Sequence, residues 1–143
     1  MQLDNITSAL VGSHDEVTPV VKTLARKIGV NGLISGEASV SMVLSTSYQY
    51  HCSAMCRIAG IKIMYRPTHQ QISKSVNDML YATGKNIADI DAVVLGVNGN
   101  SDNDMHYLNN IDIFEGIPAL QYKHLFGDCF SASAIGVYVA ATC

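Results

Sequence analysis

Charge is scarce in this chain: Asp, Glu, Lys and Arg make up 15% of its 143 residues, against about 25% in an ordinary soluble domain. A surface so short of charge is partly reserved for another protein. Lys and Arg never form a run and the net charge is −3, so nothing is placed to neutralise a phosphate backbone, which argues against nucleic acid as a partner. No stretch of about 18 apolar residues occurs, so no membrane span is expected. The start, MQLDNITSAL, lacks the basic and apolar regions of a secretory signal. Together these absences predict a cytoplasmic protein.

Cysteine is sparse too. Cys52, Cys56, Cys129 and Cys143 are too few, in a chain too rich in core residues, for a disulfide scaffold, and they read as free thiols. There is no C-x-x-C and no paired histidine spacing, so no metal is expected. Nor does any stretch call for a cofactor.

What the chain does have is 48% hydrophobic residues and a mean hydropathy of +0.19, enough to bury the core of one domain. The run Asn5 to Ser13 reads as a strand, followed by Ser13, His14, Asp15 and Glu16 as helix-start chemistry for EVTPVVKTLARKIG. After Gly29, Gly32 and Gly36, the segment Ala38 to Ser45 alternates with the period of a strand. The gap between Leu44 and Cys52 reads as a hinge between two sheets. CSAMCRIAGIKIMYR, ending at Arg66, also alternates and reads as extended. Pro67 stops it and Thr68 caps a helix from His69 to Thr83, with Ile72, Val76, Met79 and Leu80 on one face.

Beyond Gly84 comes a buried strand from Ala92 to Val97, then the turn Asn98-Gly99-Asn100. A helix starting at Ser101 or Asp102 carries Met105, Leu108, Ile111 and Phe114 on one side. Gly116 and Pro118 break it, PALQY forms a strand, and the last helix begins at Ser131. Strands alternating with helices imply an α/β fold with a mostly parallel sheet covered by helices on both faces.

Two stretches have the grammar of a site. Asn98 to Asp104 follows a buried strand at its C-terminal end, where open α/β sheets place ligands; turn geometry and helix capping account for the same residues without a ligand. YKHLFGDCF puts Lys123, Asp128 and Cys129 before a helix N-terminus, which favours a carboxylate. There too a helix cap with a neighbouring ion pair is the plainer account. A thiol at that position gains nucleophilicity from the helix and loses it to the adjacent carboxylate. His14, His51, His69, His106 and His124 have no partners at a spacing that forces a catalytic triad, and read as surface or cap residues.

In order, these pieces resemble the β-ketoacyl-[acyl-carrier-protein] synthases, whose fold is thiolase-like. Gly36-Glu37-Ala38-Ser39 with VSMVLS is similar to that family's Gly-Glu-Gly-Ala strand entry. IADIDAVVLGVNGNSDND is similar to its Asp-Ile-Asp strand and His-Gly-Thr-Gly-Thr loop. Lys123, Gly127, Asp128 and SASAIGVYVAA are similar to its Lys, Gly-His and Ala-rich helix. LVGSHDE, LGVNGNSDND and YKHLFGDCFSASA look most like the divergent ketosynthases of bacterial flexirubin and aryl polyene pigments.

The resemblance implies a chain incomplete relative to the two-half family fold. Residues 1–45 would be a remnant of the N-terminal half, and 46–143 the C-terminal half without its last strands. It implies an acyltransferase ancestry in fatty acid or polyketide-type polyene synthesis, with an acyl carrier protein and a complementary ketosynthase subunit as partners, in a homo- or hetero-oligomer. The site positions it marks are degenerate: Lys123 matches the family lysine, Asn98 and Asp128 stand at the two histidines, and the nucleophilic cysteine has no counterpart. The isolated chain is therefore expected to be inactive, with a chain-length-factor-like subunit or a truncated remnant as the alternatives.

Overall fold

The computed structural model describes residues 7–27, 35–46 and 54–143. Asn5, Gly29, Gly32, His51, Cys52 and the expected hinge at 47–52 lie outside the described residues. Strand β1 (Ser8–Asp15) pairs antiparallel with β2 (Ala38–Ser45), Ser8 opposite Ser45 and Asp15 opposite Ala38. The alternation in β2 has the expected effect: Ala38, Val40 and Met42 are half-buried and Ser39 and Ser41 are exposed, as period two requires.

Ser13, His14 and Asp15 belong to β1 rather than to a helix start. Helix α1 (Pro19–Lys27) begins later because Thr18 takes the cap, its hydroxyl accepting the Val21 N–H at 3.2 Å. Pro19 suits the first helical position, where its fixed φ helps and its missing N–H costs nothing. Helix α2 (His69–Ala82) starts where the sequence indicates, closed by a capping box: Thr68 Oγ1 accepts the Gln71 N–H at 3.3 Å and Gln71 Oε1 accepts the Thr68 N–H at 2.8 Å. Gly84, with φ of 68°, follows its C-cap.

The run ending at Arg66, expected to be a strand, has no strand partner among the described residues, and 54–66 carries no ladder. Alternation gives a segment two faces, but a strand also needs a neighbour for its backbone groups. The four described strands pair among themselves instead.

Strands β3 (Val93–Leu95) and β4 (Ala119–Gln121) form a short parallel pair, Val93 opposite Ala119 and Leu95 opposite Gln121. The expected Ala92 to Val97 strand is cut to three residues. Helix α3 (Ser101–Leu108) also ends earlier than its apolar spacing suggests, and Ile111–Phe114 forms a separate 3₁₀ turn. Asn110 explains the break: its side-chain amide donates to the His106 carbonyl at 2.8 Å, the competition with backbone bonding that makes Asn a poor interior helix residue. Helix α4 (Lys123–Phe126), a single turn the sequence did not announce, precedes α5 (Ala132–Thr142). The described residues are thus mixed α/β, with one antiparallel pair, one parallel pair and helices.

The core lies where β2, β3 and α5 meet. Tyr122, Ala132 and Ile135 are buried there, against Ala38, Val40, Val94, Cys129 and Val139. The Tyr122 ring covers Gly136, where an added Cβ would lie 2.9 Å from the phenol oxygen; the small-residue face of α5 exists to admit that ring. This core is small for the chain. Large apolar side chains stay exposed elsewhere, Leu10 at 76% and Phe130 at 93% among them. Much apolar surface is left uncovered.

Candidate functional site

The site begins where β3 ends. Gly99, at φ 86°, turns the chain back, and Asn98 Oδ1 accepts the Asn100 N–H at 3.0 Å. Asn100 then caps α3, accepting from the Asp102 and Asn103 N–H groups at 3.1 and 3.2 Å. From inside the helix the buried Asp104 reaches back to accept the Asn98 N–H at 2.9 Å and the Gly99 N–H at 3.0 Å. This fixes the backbone of Asn98. Its side chain is left to point across to another segment.

That segment is the one after β4. Lys123 opens α4, and Gly127, at φ 78°, reverses the chain so that Asp128 faces Lys123. The reversal is possible because Gly127 crosses Gly36: a Cβ on Gly127 would lie 2.7 Å from Gly36 Cα, and one on Gly36 would run into the Phe126 carbonyl. The Gly36 N–H donates to the Asp128 carbonyl at 3.0 Å, and Ser35 and Asp128 form a parallel bridge. The open end of the β1–β2 pair is tied down as well. Phe130 N–H donates to Asp15 Oδ2 at 2.6 Å, and Val17 N–H to Glu37 Oε1 at 3.0 Å.

Asn98, Lys123 and Asp128 therefore come together. Lys123 Nζ lies 2.6 Å from Asp128 Oδ1, and Asn98 Nδ2 donates to Asp128 Oδ2 at 2.8 Å. The Lys123 and Asp128 side chains are 15% and 17% exposed. Burial pulls the lysine pKa down, but the Asp128 hydrogen bond and charge outweigh it, and the ammonium ends above its ordinary value. Lys123 keeps its proton. It is a counter-ion rather than a base.

Two neighbours behave alike. Burial raises Tyr122, against the opposing charge of Lys123. Burial also raises the Cys129 thiol, and Asp15 and Asp128 add to the rise, against a lowering by the Ser131 backbone N–H. Nothing here makes Cys129 a ready thiolate.

The three residues border a cavity of about 250 Å³ whose other walls are Gly96, Asn103, His106 and Tyr107. A Cβ on Gly96 would lie 2.6 Å from Tyr107 Oη, so glycine leaves the space the phenol fills. His106 and Tyr107 are the residues the sequence reading missed. Their signal was available: Asn103, His106 and Tyr107 lie at i, i+3 and i+4, one face of a helix that starts beside Asn98. A larger cavity of about 400 Å³ between 62–67 and α2 touches none of these groups.

Chemically, the cluster joins an ammonium, a carboxylate and an amide through two hydrogen bonds. Asp128 accepts from Lys123 with one carboxylate oxygen and from the Asn98 amide with the other. Among the described residues no group of three or more His, Cys, Asp or Glu is placed to hold a metal ion, and no helix is long and apolar enough to cross a membrane. No family model matches the chain, and no curated protein and no solved structure matches it.

Proposed function

We propose that the chain is a β-ketoacyl-[acyl-carrier-protein] synthase-like protein that does not condense acyl groups by itself. The observation that carries this reading is the joining of Asn98, Lys123 and Asp128 in one hydrogen-bonded unit. Asn98, from a turn distant in sequence, and the neighbouring pair Lys123 and Asp128, all singled out by their likeness to one family's site, share a cavity wall.

The same unit supports inactivity. Condensation in that family needs a thiolate to hold the acyl chain and two histidines to promote decarboxylation and stabilise the enolate. At the positions the resemblance assigns to the two histidines stand an amide and a carboxylate, which are bonded to each other, and Cys129 has a raised pKa. Losing one oxyanion donor typically costs about 3–4 kcal/mol in barrier.

A second reading, a non-catalytic chain-length-factor-like subunit, is favoured by exposed apolar side chains such as Ile63 at 90% and Phe130 at 93%. Its partners would be an acyl carrier protein and an active ketosynthase in the cytoplasm. Intact-mass measurement after incubation with acyl- and malonyl-carrier protein tests the main reading. An unchanged mass is expected, and an acyl adduct on Cys129 would overturn inactivity. For the second reading, stoichiometric co-purification with a ketosynthase bearing Cys and two His is expected; its failure would remove that reading.

A further inference from the structure

Between residues 62–67 and α2 lies a cavity of about 400 Å³, within the size range of small-molecule sites. Its walls divide in two. Met64, Pro67 and the Tyr65 ring supply apolar surface, while Lys62, Gln71 and Ser75 supply hydrogen-bond donors. Lys74 and Asp78 border it as well, but they are one turn apart on α2, bond each other at 2.6 Å and cancel. Lys62 is the uncompensated charge, with no ion-pair partner among the described residues.

Ser75 is the decisive residue. It is 8% exposed, its hydroxyl bonds no other described residue, and the access it keeps is to the cavity it lines. A serine inside a helix often returns its hydroxyl to a carbonyl one turn back, as Thr83 at the end of α2 does to Met79 at 3.2 Å. Ser75 does not. A buried donor without a partner is costly, and the cavity is where an acceptor has room. Gln71, one turn earlier on the same face, has its amide oxygen committed to the Thr68 N–H at 2.8 Å, which leaves its NH2 to donate.

The opposite wall is held in a costly shape. Arg66, directly before Pro67, has φ of 46°, the one positive value at a non-glycine residue among the described residues, and such strain gathers at binding and catalytic sites. Its guanidinium packs over the Tyr65 ring, 5.4 Å from the centroid. A Cβ on Gly60 would touch Met79 Cε at 3.1 Å, so the segment leading into this wall is seated on the helix.

We propose that this cavity binds a small monocarboxylate with an apolar body, its carboxylate taken by Lys62, Ser75 and Gln71 and its body laid against Met64, Pro67 and Tyr65. One free ammonium calls for one negative charge rather than two, which favours a carboxylate over a phosphate. The free groups are donors and the one acid, Asp78, is spent on Lys74, which favours an anion over an amine. The volume suits a ligand of roughly ten non-hydrogen atoms. The site shares no residue with the Asn98–Lys123–Asp128 cluster, so the proposal stands or falls apart from the ketosynthase-like reading.

Titration calorimetry of the full chain with octanoate, octanamide and inorganic phosphate at neutral pH tests it. Octanoate is expected to bind saturably at one site per chain, octanamide about fivefold more weakly or worse, and phosphate not at all. Ser75→Ala is expected to weaken octanoate about tenfold, while the melting temperature holds or rises because alanine is the better helix former and no protein hydrogen bond is lost. Lys62→Gln, at an exposed position, should weaken it about threefold and remove most of the salt dependence. No saturable octanoate binding up to roughly 10 mM, octanamide or phosphate binding as tightly as octanoate, or an affinity unchanged in both variants would each overturn the proposal. The comparison of the three ligands on the wild-type chain decides it even if a variant fails to fold.

Discussion

Lys123 and Asp128 form the shortest side-chain link in the site, 2.6 Å between Nζ and Oδ1, and Asn98 holds the second carboxylate oxygen at 2.8 Å. Removing Asp128 strips an ammonium of its counter-ion where little water reaches it. Asp128→Ala is expected to lower unfolding free energy by about 2 kcal/mol, below the roughly 3–5 kcal/mol of a fully buried pair because each side chain keeps some exposure. Lys123→Met should cost less, since Asp128 keeps Asn98. Urea denaturation of both singles and the double mutant should give a coupling of about 1 kcal/mol or more; no coupling would mean the pair is not stabilising.

The pH dependence has one sign. Lys123, Tyr122 and Cys129 are all raised from their ordinary values of 10.5, 10.0 and 9.0. Each then binds more protons folded than unfolded in the alkaline range, so stability falls as pH rises. The contribution is complete below those ordinary values and is lost as pH climbs through the folded ones. Thermal melts should hold steady from neutrality to the ordinary cysteine value and then decline, and Lys123→Met should flatten part of the decline.

Thiol reactivity should separate the cysteines. Cys56 and Cys143 are exposed, whereas Cys129 is half-buried and raised. Iodoacetamide at neutral pH is expected to label Cys56 and Cys143 first, read by peptide mass mapping. Rapid labelling of Cys129 would contradict its placement.

Gly36→Ala is expected to cost more than an exposed glycine change, about 1–3 kcal/mol or beyond, because its Cβ meets the Phe126 backbone rather than a movable side chain. Gly96→Ala meets the Tyr107 hydroxyl, the end of a side chain that can swing aside. It should cost less stability and reshape the cavity. Comparing the two by denaturant midpoint tests whether the crossing is as tight as described.

Local chemistry made part of this legible. The β2 strand, the Thr68 cap and the start of α5 follow from period and capping residues, and Lys123, Asp128 and Asn98 stood out because they sit at turns after strands. What was hidden depends on partners distant in sequence. Nothing in the sequence of 54–66 says that its strand pattern lacks a neighbour among the described residues. Asn110 ends α3 by bonding a carbonyl one turn back, which apolar spacing ignores. Asp104 looked like a helix-start residue, and only the fold shows it clamping the backbone of Asn98.

The contact of Gly36 with Gly127 also bears on the order of folding. Two segments far apart in the sequence meet backbone to backbone, and closing so long a loop is entropically slow relative to forming α2 or α3. The floor beneath Asp128 is therefore among the last parts to form. Mutations in the β1–β2 ribbon, which contributes no side chain to the cavity, should consequently slow the appearance of the site while leaving the helices to form at their own pace.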